Sequence, residues 1–115
     1  RQMDKRELGR RYELFAADYL KKQGYRIVEL NFCCRQGEVD IIARDKDVLV
    51  FIEVKYRKNL HSGAPAEAVD AKKQQKIRSA ARYYLYRKRY GEDVPCRFDV
   101  VGIVGEKISL IRDAF

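Results

Sequence analysis

Three acids and a lysine fall close together in the stretch from Gly37 to Arg57, G-E-V-D-I-I-A-R-D-K-D-V-L-V-F-I-E-V-K-Y-R: Glu38, Asp40, Glu53 and Lys55. Carboxylates are ligands for hard divalent cations, and Mg²⁺ is usually held by only one or two of them, with water and phosphate oxygens around the rest of the ion. An ammonium next to such an ion can orient a water or stabilise charge building on phosphorus. The residue types suit a metal clamp with an amine beside it, provided that the fold brings them together.

The flanking residues predict how it would. Two runs rich in β-branched and aromatic residues, Val39 to Ala43 and Val48 to Tyr56, are separated by the polar Asp45-Lys46-Asp47, the pattern of a β-hairpin. With Lys46-Asp47 as a two-residue loop, Asp45 lies opposite Val48, Asp40 opposite Glu53 and Glu38 opposite Lys55, all four charged side chains on one face. Directly opposed side chains stand roughly 5 Å apart, where like charges are destabilising, so two carboxylates there need a cation or a shared proton. Val39, Ile41, Ala43, Val50, Ile52 and Val54 make the other face apolar and are expected to pack on a core. The turn lacks the glycine that tight hairpins favour. A three-residue loop would shift the register by one and send Asp40 and Glu53 to opposite faces. Gly37 marks a bend or bulge that decides where Glu38 points.

Helices are expected on both sides of this hairpin. From Asp4 to Gln23, apolar residues at Leu8, Tyr12, Phe15, Ala16, Tyr19 and Leu20 follow helical spacing, with Gly24 as the stop. A second stripe, Gly9, Glu13, Ala16, Ala17 and Leu20, is mostly small and would let the helix lie close to a sheet. Glu13, at its edge, is either a solvated flank residue or a third carboxylate reaching the charged face. Tyr25 to Phe32 reads as a strand, and Cys33 to Gln36 as a connection. Arg57 to Ala71 reads as a mobile loop near the charged face, with one helical turn at Ala66 to Val69. Asp70 is the expected N-cap of a helix running from Ala71 to about Arg89, closed by Gly91, with Ile77, Ala80, Ala81, Tyr84 and Leu85 inward. Arg97 to Val104 reads as a buried strand, and Lys107 to Phe115 as a short edge strand and tail.

That helix holds Lys72, Lys73, Lys76, Arg78, Arg82, Arg87, Lys88 and Arg89 with no acid among them, and the net charge of the whole chain is +8, so the excess sits there. One-sided charge of this kind suits a phosphate backbone. Tyr83, Tyr84, Tyr86 and Tyr90 lie between the bases, either stacking on nucleobases or packing inward.

At 115 residues the chain suits one domain, residues 1–115. No apolar run approaches the roughly 20 residues that span a bilayer, no signal-peptide hydrophobic region follows the charged start, and a cytoplasmic location is expected. Cys33, Cys34 and Cys96 lack zinc-site spacing and read as reduced thiols. His61, the only histidine, reads as incidental.

The order helix, three strands, helix, strand, with D-x12-E-x-K across the second and third strands, resembles the PD-(D/E)XK nuclease superfamily. More narrowly, G-E-V-D-I-I, V-F-I-E-V-K-Y-R, G-A-P-A-E-A-V followed by K-K-Q-Q-K-I, and R-F-D-V-V resemble the YraN-like or UPF0102 family, itself similar to archaeal Holliday junction resolvases. The resemblance runs from about Gly9 to Ile103. It implies an α/β, restriction-endonuclease-like αβββαβ core whose central mixed sheet is flanked by helices. It also implies that Asp40 and Glu53 are metal ligands, Lys55 the catalytic lysine and Glu13 the helix acid. Val39 stands where the superfamily often has proline, and Glu38 is an extra acid of unassigned role, counted here as a candidate ligand. The expectation is Mg²⁺- or Mn²⁺-dependent hydrolysis of DNA phosphodiester bonds, branched DNA included. The Val54 carbonyl would be a further ligand, and the basic helix with Arg57 the nucleic-acid surface. The alternatives are a nucleic-acid binding module with a vestigial site, or a subunit that docks the tyrosine-rich helix on an acidic protein. A homodimer would suit two-strand cutting by analogy with the resolvases.

Overall fold

The computed structural model describes residues 2–115; Arg1 lies outside the described residues. Helix α1 spans Lys5–Lys22, followed by strands β1 (Arg26–Cys34), β2 (Gly37–Asp45) and β3 (Val48–Arg57). Two short 3-10 turns, Leu60–Ser62 and Pro65–Ala68, lead into helix α2 (Ala71–Arg87), and the chain ends with β4 (Cys96–Val104) and β5 (Lys107–Ile111). The fold is α/β: one five-stranded mixed sheet in the order β1-β2-β3-β4-β5, with only β3 and β4 parallel. The expected αβββαβ order is present, extended by β5.

The hairpin register follows from its turn. Asp45 pairs with Val48 and Ile41 with Ile52, the two-residue loop that places Asp40 and Glu53 at the same level. Lys46 takes the left-handed backbone (φ +56) that the glycine-free turn requires. Because β2 and β3 are central strands, both their faces are buried. Ile41, Ala43, Val50 and Ile52 pack with Ala16, Ala17 and Leu20 of α1, while Ile42, Leu49 and Phe51 pack with Ile77, Ala80, Ala81 and Tyr84 of α2. The charged residues therefore occupy one end of a face that α2 otherwise covers.

Several expectations are corrected. On α1 the small-residue stripe meets the sheet, and Leu8 and Phe15 are exposed together with Leu14. Small side chains permit the closest helix-to-sheet approach, and the buried residues of α1 are Ala16, Ala17 and Leu20 of that stripe. Val39 does not share a side with Ile41 but packs with its rung partner Phe32 against the α2 layer. Cys33 and Cys34 belong to β1, leaving only Arg35 and Gln36 in the turn. The segment after Arg57 is docked rather than open: Pro65 and Val69 are buried, and a Cβ at Gly102 of β4 would meet the Pro65 ring at 3.0 Å. Helix α2 stops before Gly91. Arg89 turns left-handed (φ +59), and Tyr90 is held by stacking on Tyr84 and a 2.9 Å hydrogen bond from Arg44.

The hairpin-turn end of the sheet is locked by a polar cluster. Asp99, fully buried, accepts hydrogen bonds from Tyr25 Oη at 2.6 Å, Arg97 Nε at 2.9 Å and the Asp113 amide at 2.9 Å. Arg97 also donates to Asp45 at 2.9 Å, and these contacts raise its pKa further. The R-F-D of the R-F-D-V-V segment is thus architectural, tying β4 to the hairpin and the chain's end. Asp99→Ala takes the acceptor from Tyr25 Oη, Arg97 Nε and the Asp113 amide while Arg97 keeps Asp45, and a loss of about 1–3 kcal/mol in urea-melt stability is expected. A wild-type midpoint would show that the cluster adds nothing.

Candidate active site

Backbone irregularity creates the site. The paired rungs of β2 and β3 end at Ile41 with Ile52, and between the β1–β2 rungs Leu30–Ile41 and Phe32–Val39 lies Asn31, left-handed at φ +53. Asparagine tolerates this conformation better than most residues. Before this level the β1–β2 rung residue Ile41 packs toward α1; beyond it Phe32 and Val39 pack toward α2. Asp40 sits at the changeover, where the ladder opens and side chains from several elements can converge.

Asp40 and Glu53 converge there. They are 9% and 5% exposed and stand at the same level of the hairpin, one beyond the last rung of Ile41 with Ile52. Asp40 Oδ2 also accepts the Val54 amide proton at 2.8 Å. Burial, then the bond to Asp40 and its charge, push the Glu53 pKa up to about 9. Glu53 therefore keeps its proton at pH values where an ordinary glutamate has lost it. Glu13 reaches the same region from α1, hydrogen-bonded by Asn31 Nδ2 at 2.6 Å. Its pKa is raised, first by burial and then by Asp40, while Asn31 and Arg10 act against the rise. The Tyr12 ring stacks on Tyr56 at 4.1 Å, fixing the residue before Glu13 to the residue after Lys55.

The amine nearest Glu53 is unexpected. Lys73 of the first turn of α2 stands 3.8 Å from Glu53 Oε2, whereas Lys55 acts on Glu53 through its charge and more weakly. Glu38 and Lys55 form no rung, because pairing has already ended; Glu38 is exposed and accepts from Cys33 Sγ at 3.7 Å. Arg57 is half-buried, its Nε without a hydrogen-bond partner. Sequence reasoning missed Asn31 and the site role of Lys73. An asparagine inside a strand pattern was the available signal for the first; for the second only the fold supplies the proximity.

Among the described residues, no group of three or more His, Cys, Asp or Glu side chains is gathered so as to hold a metal ion. The Asp40–Glu53 pair alone still fits Mg²⁺ or Mn²⁺, because two buried carboxyls at one level of the hairpin offer the hard oxygen donors that such ions take. The bases of α2 are spread around the helix. Lys73 meets Glu53, and Arg78 lies over the Phe98 and Phe115 rings at 5.4 and 5.3 Å. Lys72, Lys76, Arg82, Arg87, Lys88 and Arg89 are exposed. Of the tyrosines, Tyr84 is core, Tyr83 and Tyr90 pack beside it, and Tyr86 alone projects, 80% exposed. No helix among the described residues is long and apolar enough to cross a membrane.

Comparison with known proteins gives a family without an assigned reaction. The model of the family described as "Uncharacterised protein family UPF0102" matches residues 12–103. A UPF0102 protein of Lachnoclostridium phytofermentans is 50% identical over 113 residues, covering 98% of this chain and 96% of its own. One of Chromohalobacter salexigens is 47% identical, covering 97% and 93%. One of Caldicellulosiruptor bescii is 44% identical, covering 98% and 100%.

Proposed function

Since the chain belongs to the uncharacterised protein family UPF0102, whose description names no reaction, we propose its function from the site: metal-dependent hydrolysis of phosphodiester bonds in DNA. One observation carries this reading. Two buried carboxyls, Asp40 and Glu53, lie at the same level where the β2–β3 rungs end, between two helices rich in bases, and burial beside Asp40 pushes the Glu53 pKa up. Buried structural carboxyls are normally kept apart, and two placed together with a strongly raised pKa are characteristic of a functional site.

Asp40 and Glu53 would hold Mg²⁺ or Mn²⁺, with the carbonyl of Val54, the residue whose amide contacts Asp40, as a further ligand. The bound ion supplies Lewis acidity, polarising a phosphoryl oxygen and making a water more acidic. The Val54 amide fixes Asp40 in orientation. Lys55 positions the attacking water or offsets charge building on phosphorus. Glu13, held by Asn31, faces the same space and would bind the water shell or a second ion. Glu38, at the mouth, sets the charge of the entrance. The exposed bases of α2, with Arg57 at the end of β3, would bind the backbone without regard to sequence, and that affinity should fall steeply with salt.

A second reading draws on Lys73. Its ammonium already compensates Glu53, so the site is electrostatically tolerable without an ion, as a pure DNA-binding module would need. Incubating plasmid and branched DNA with Mg²⁺ or Mn²⁺, beside an EDTA control, separates the two. Nicking that requires the divalent ion is expected. Salt-sensitive binding without cleavage would favour the binding module, and no binding at moderate salt would overturn both.

A further inference from the structure

The bases of α2 are only half of the charge around the acids. On the other side a cleft of about 550 Å³ is lined by Lys5, Arg6, Gly9 and Arg10 of α1, and by Glu13 and Glu38. A second cleft of about 340 Å³, lined by Lys73 and Lys76 of α2, shares Cys33 and Glu38 with the first. Joined at Cys33 and Glu38, the two form a groove along Glu13 and Glu38, with lysine and arginine at the α1 end and lysines at the α2 end. None of Lys5, Arg6 or Arg10 forms a salt bridge among the described residues.

Gly9 adds an independent observation. It is the fifth residue of an 18-residue helix, where glycine costs about 0.5–1 kcal/mol relative to alanine. Its φ is not positive, and a Cβ built there meets nothing within 4 Å. Neither backbone conformation nor packing calls for glycine, yet the residue lines the cleft one turn before Glu13. Glycine at such a place serves close approach of a ligand to the backbone.

We infer that α1 is the second wall of a strand-binding groove. Lys5, Arg6 and Arg10 contact phosphates on one side of the acids as Lys73 and Lys76 do on the other, and the phosphodiester backbone crosses over Gly9. This rests on the nuclease reading and extends it, because the strand is gripped on both sides of the acidic centre instead of lying along α2 alone. Phosphates on either side of the reacting one are then fixed, which is what holds a flexible strand in line for attack.

The test is fluorescence anisotropy with a labelled oligonucleotide, single-stranded and duplex, in EDTA so that cleavage plays no part. Combined Lys5→Ala, Arg6→Ala and Arg10→Ala should reduce the slope of log affinity against log salt by about 2–3, since each lost phosphate contact removes about 0.7–0.9. Arg11→Ala, exposed and outside the cleft, should leave the slope unchanged. Gly9→Leu should weaken binding by about tenfold or more while its melting temperature holds or rises, as expected for removing a helical glycine. Wild-type slope in the triple variant together with wild-type affinity in Gly9→Leu, while Arg82→Ala and Arg87→Ala weaken binding, would overturn the α1 wall and leave the nuclease reading standing. Absence of binding by the wild type would overturn both.

Discussion

Glu53→Gln is expected to lower metal-dependent DNA cleavage by about 10²–10³-fold, the range seen when one preorganised electrostatic group is removed from a reaction centre, while DNA binding in EDTA stays near wild type. The amide is nearly isosteric and can still hydrogen-bond Asp40, so the buried contact survives. What disappears is the charge that would help hold a cation. The exposed bases of α2 are untouched, and so is the backbone affinity they provide. The separation of effects is the test: binding measured by anisotropy and cleavage by plasmid nicking should part company. Equal cleavage by wild type and variant would remove Glu53 from the chemistry. Loss of binding and cleavage together, with an altered melting curve, would mean that the residue supports the fold. Lys55→Ala should also lose cleavage with binding kept. Lys73→Ala should weaken both, because this side chain stands at Glu53 and lines the groove.

The hairpin was legible because three signals agreed: β-branched runs, a polar interruption and an alternation that put the acids together. The two-residue turn was settled even without glycine, since a left-handed lysine substitutes for it at modest cost. Alternation could not tell where the ladder stops. Rungs end at Ile41 with Ile52, so counting paired Glu38 with Lys55 where the strands have already diverged, and it kept Val39 with Ile41. Asn31, left-handed in the neighbouring strand β1, stands at that level, and strand periodicity carries no information about neighbouring strands. On α1 two apolar stripes competed, and hydrophobicity favoured the bulky one. Closeness of approach decided for Ala16, Ala17 and Leu20, because a sheet face already filled by Ile41, Val50 and Ile52 leaves room for little more than methyl groups. The basic run was read as one surface. A helix turns 100° per residue, so Lys73 and Arg78 were carried to different partners, one acidic and one aromatic.

The stability of the metal-free protein should fall as pH rises. Glu53 holds its proton up to a pKa of about 9 in the folded state, whereas an ordinary glutamate in the unfolded chain releases it near 4.5. Between those values the native state binds more protons than the unfolded one, so stability is greatest below pH 4.5 as far as this group is concerned, declines through the interval and levels off above 9. Glu13, also raised, adds in the same direction. A divalent ion bound to Asp40 and Glu53 would displace that proton. Mg²⁺ or Mn²⁺ should therefore raise the melting temperature strongly at pH 8 and little at pH 5, where the proton competes. At a free concentration near 100 times Kd the gain is about 2.7 kcal/mol. Glu53→Gln should flatten the pH dependence, because its native state is permanently neutral, and should lose most of the metal shift. Thermal melts across the pH range, with and without each ion, decide the matter. An undiminished metal shift in Glu53→Gln would place the ion elsewhere, and a wild-type stability that climbs from pH 5 to 9 would contradict a proton held on Glu53.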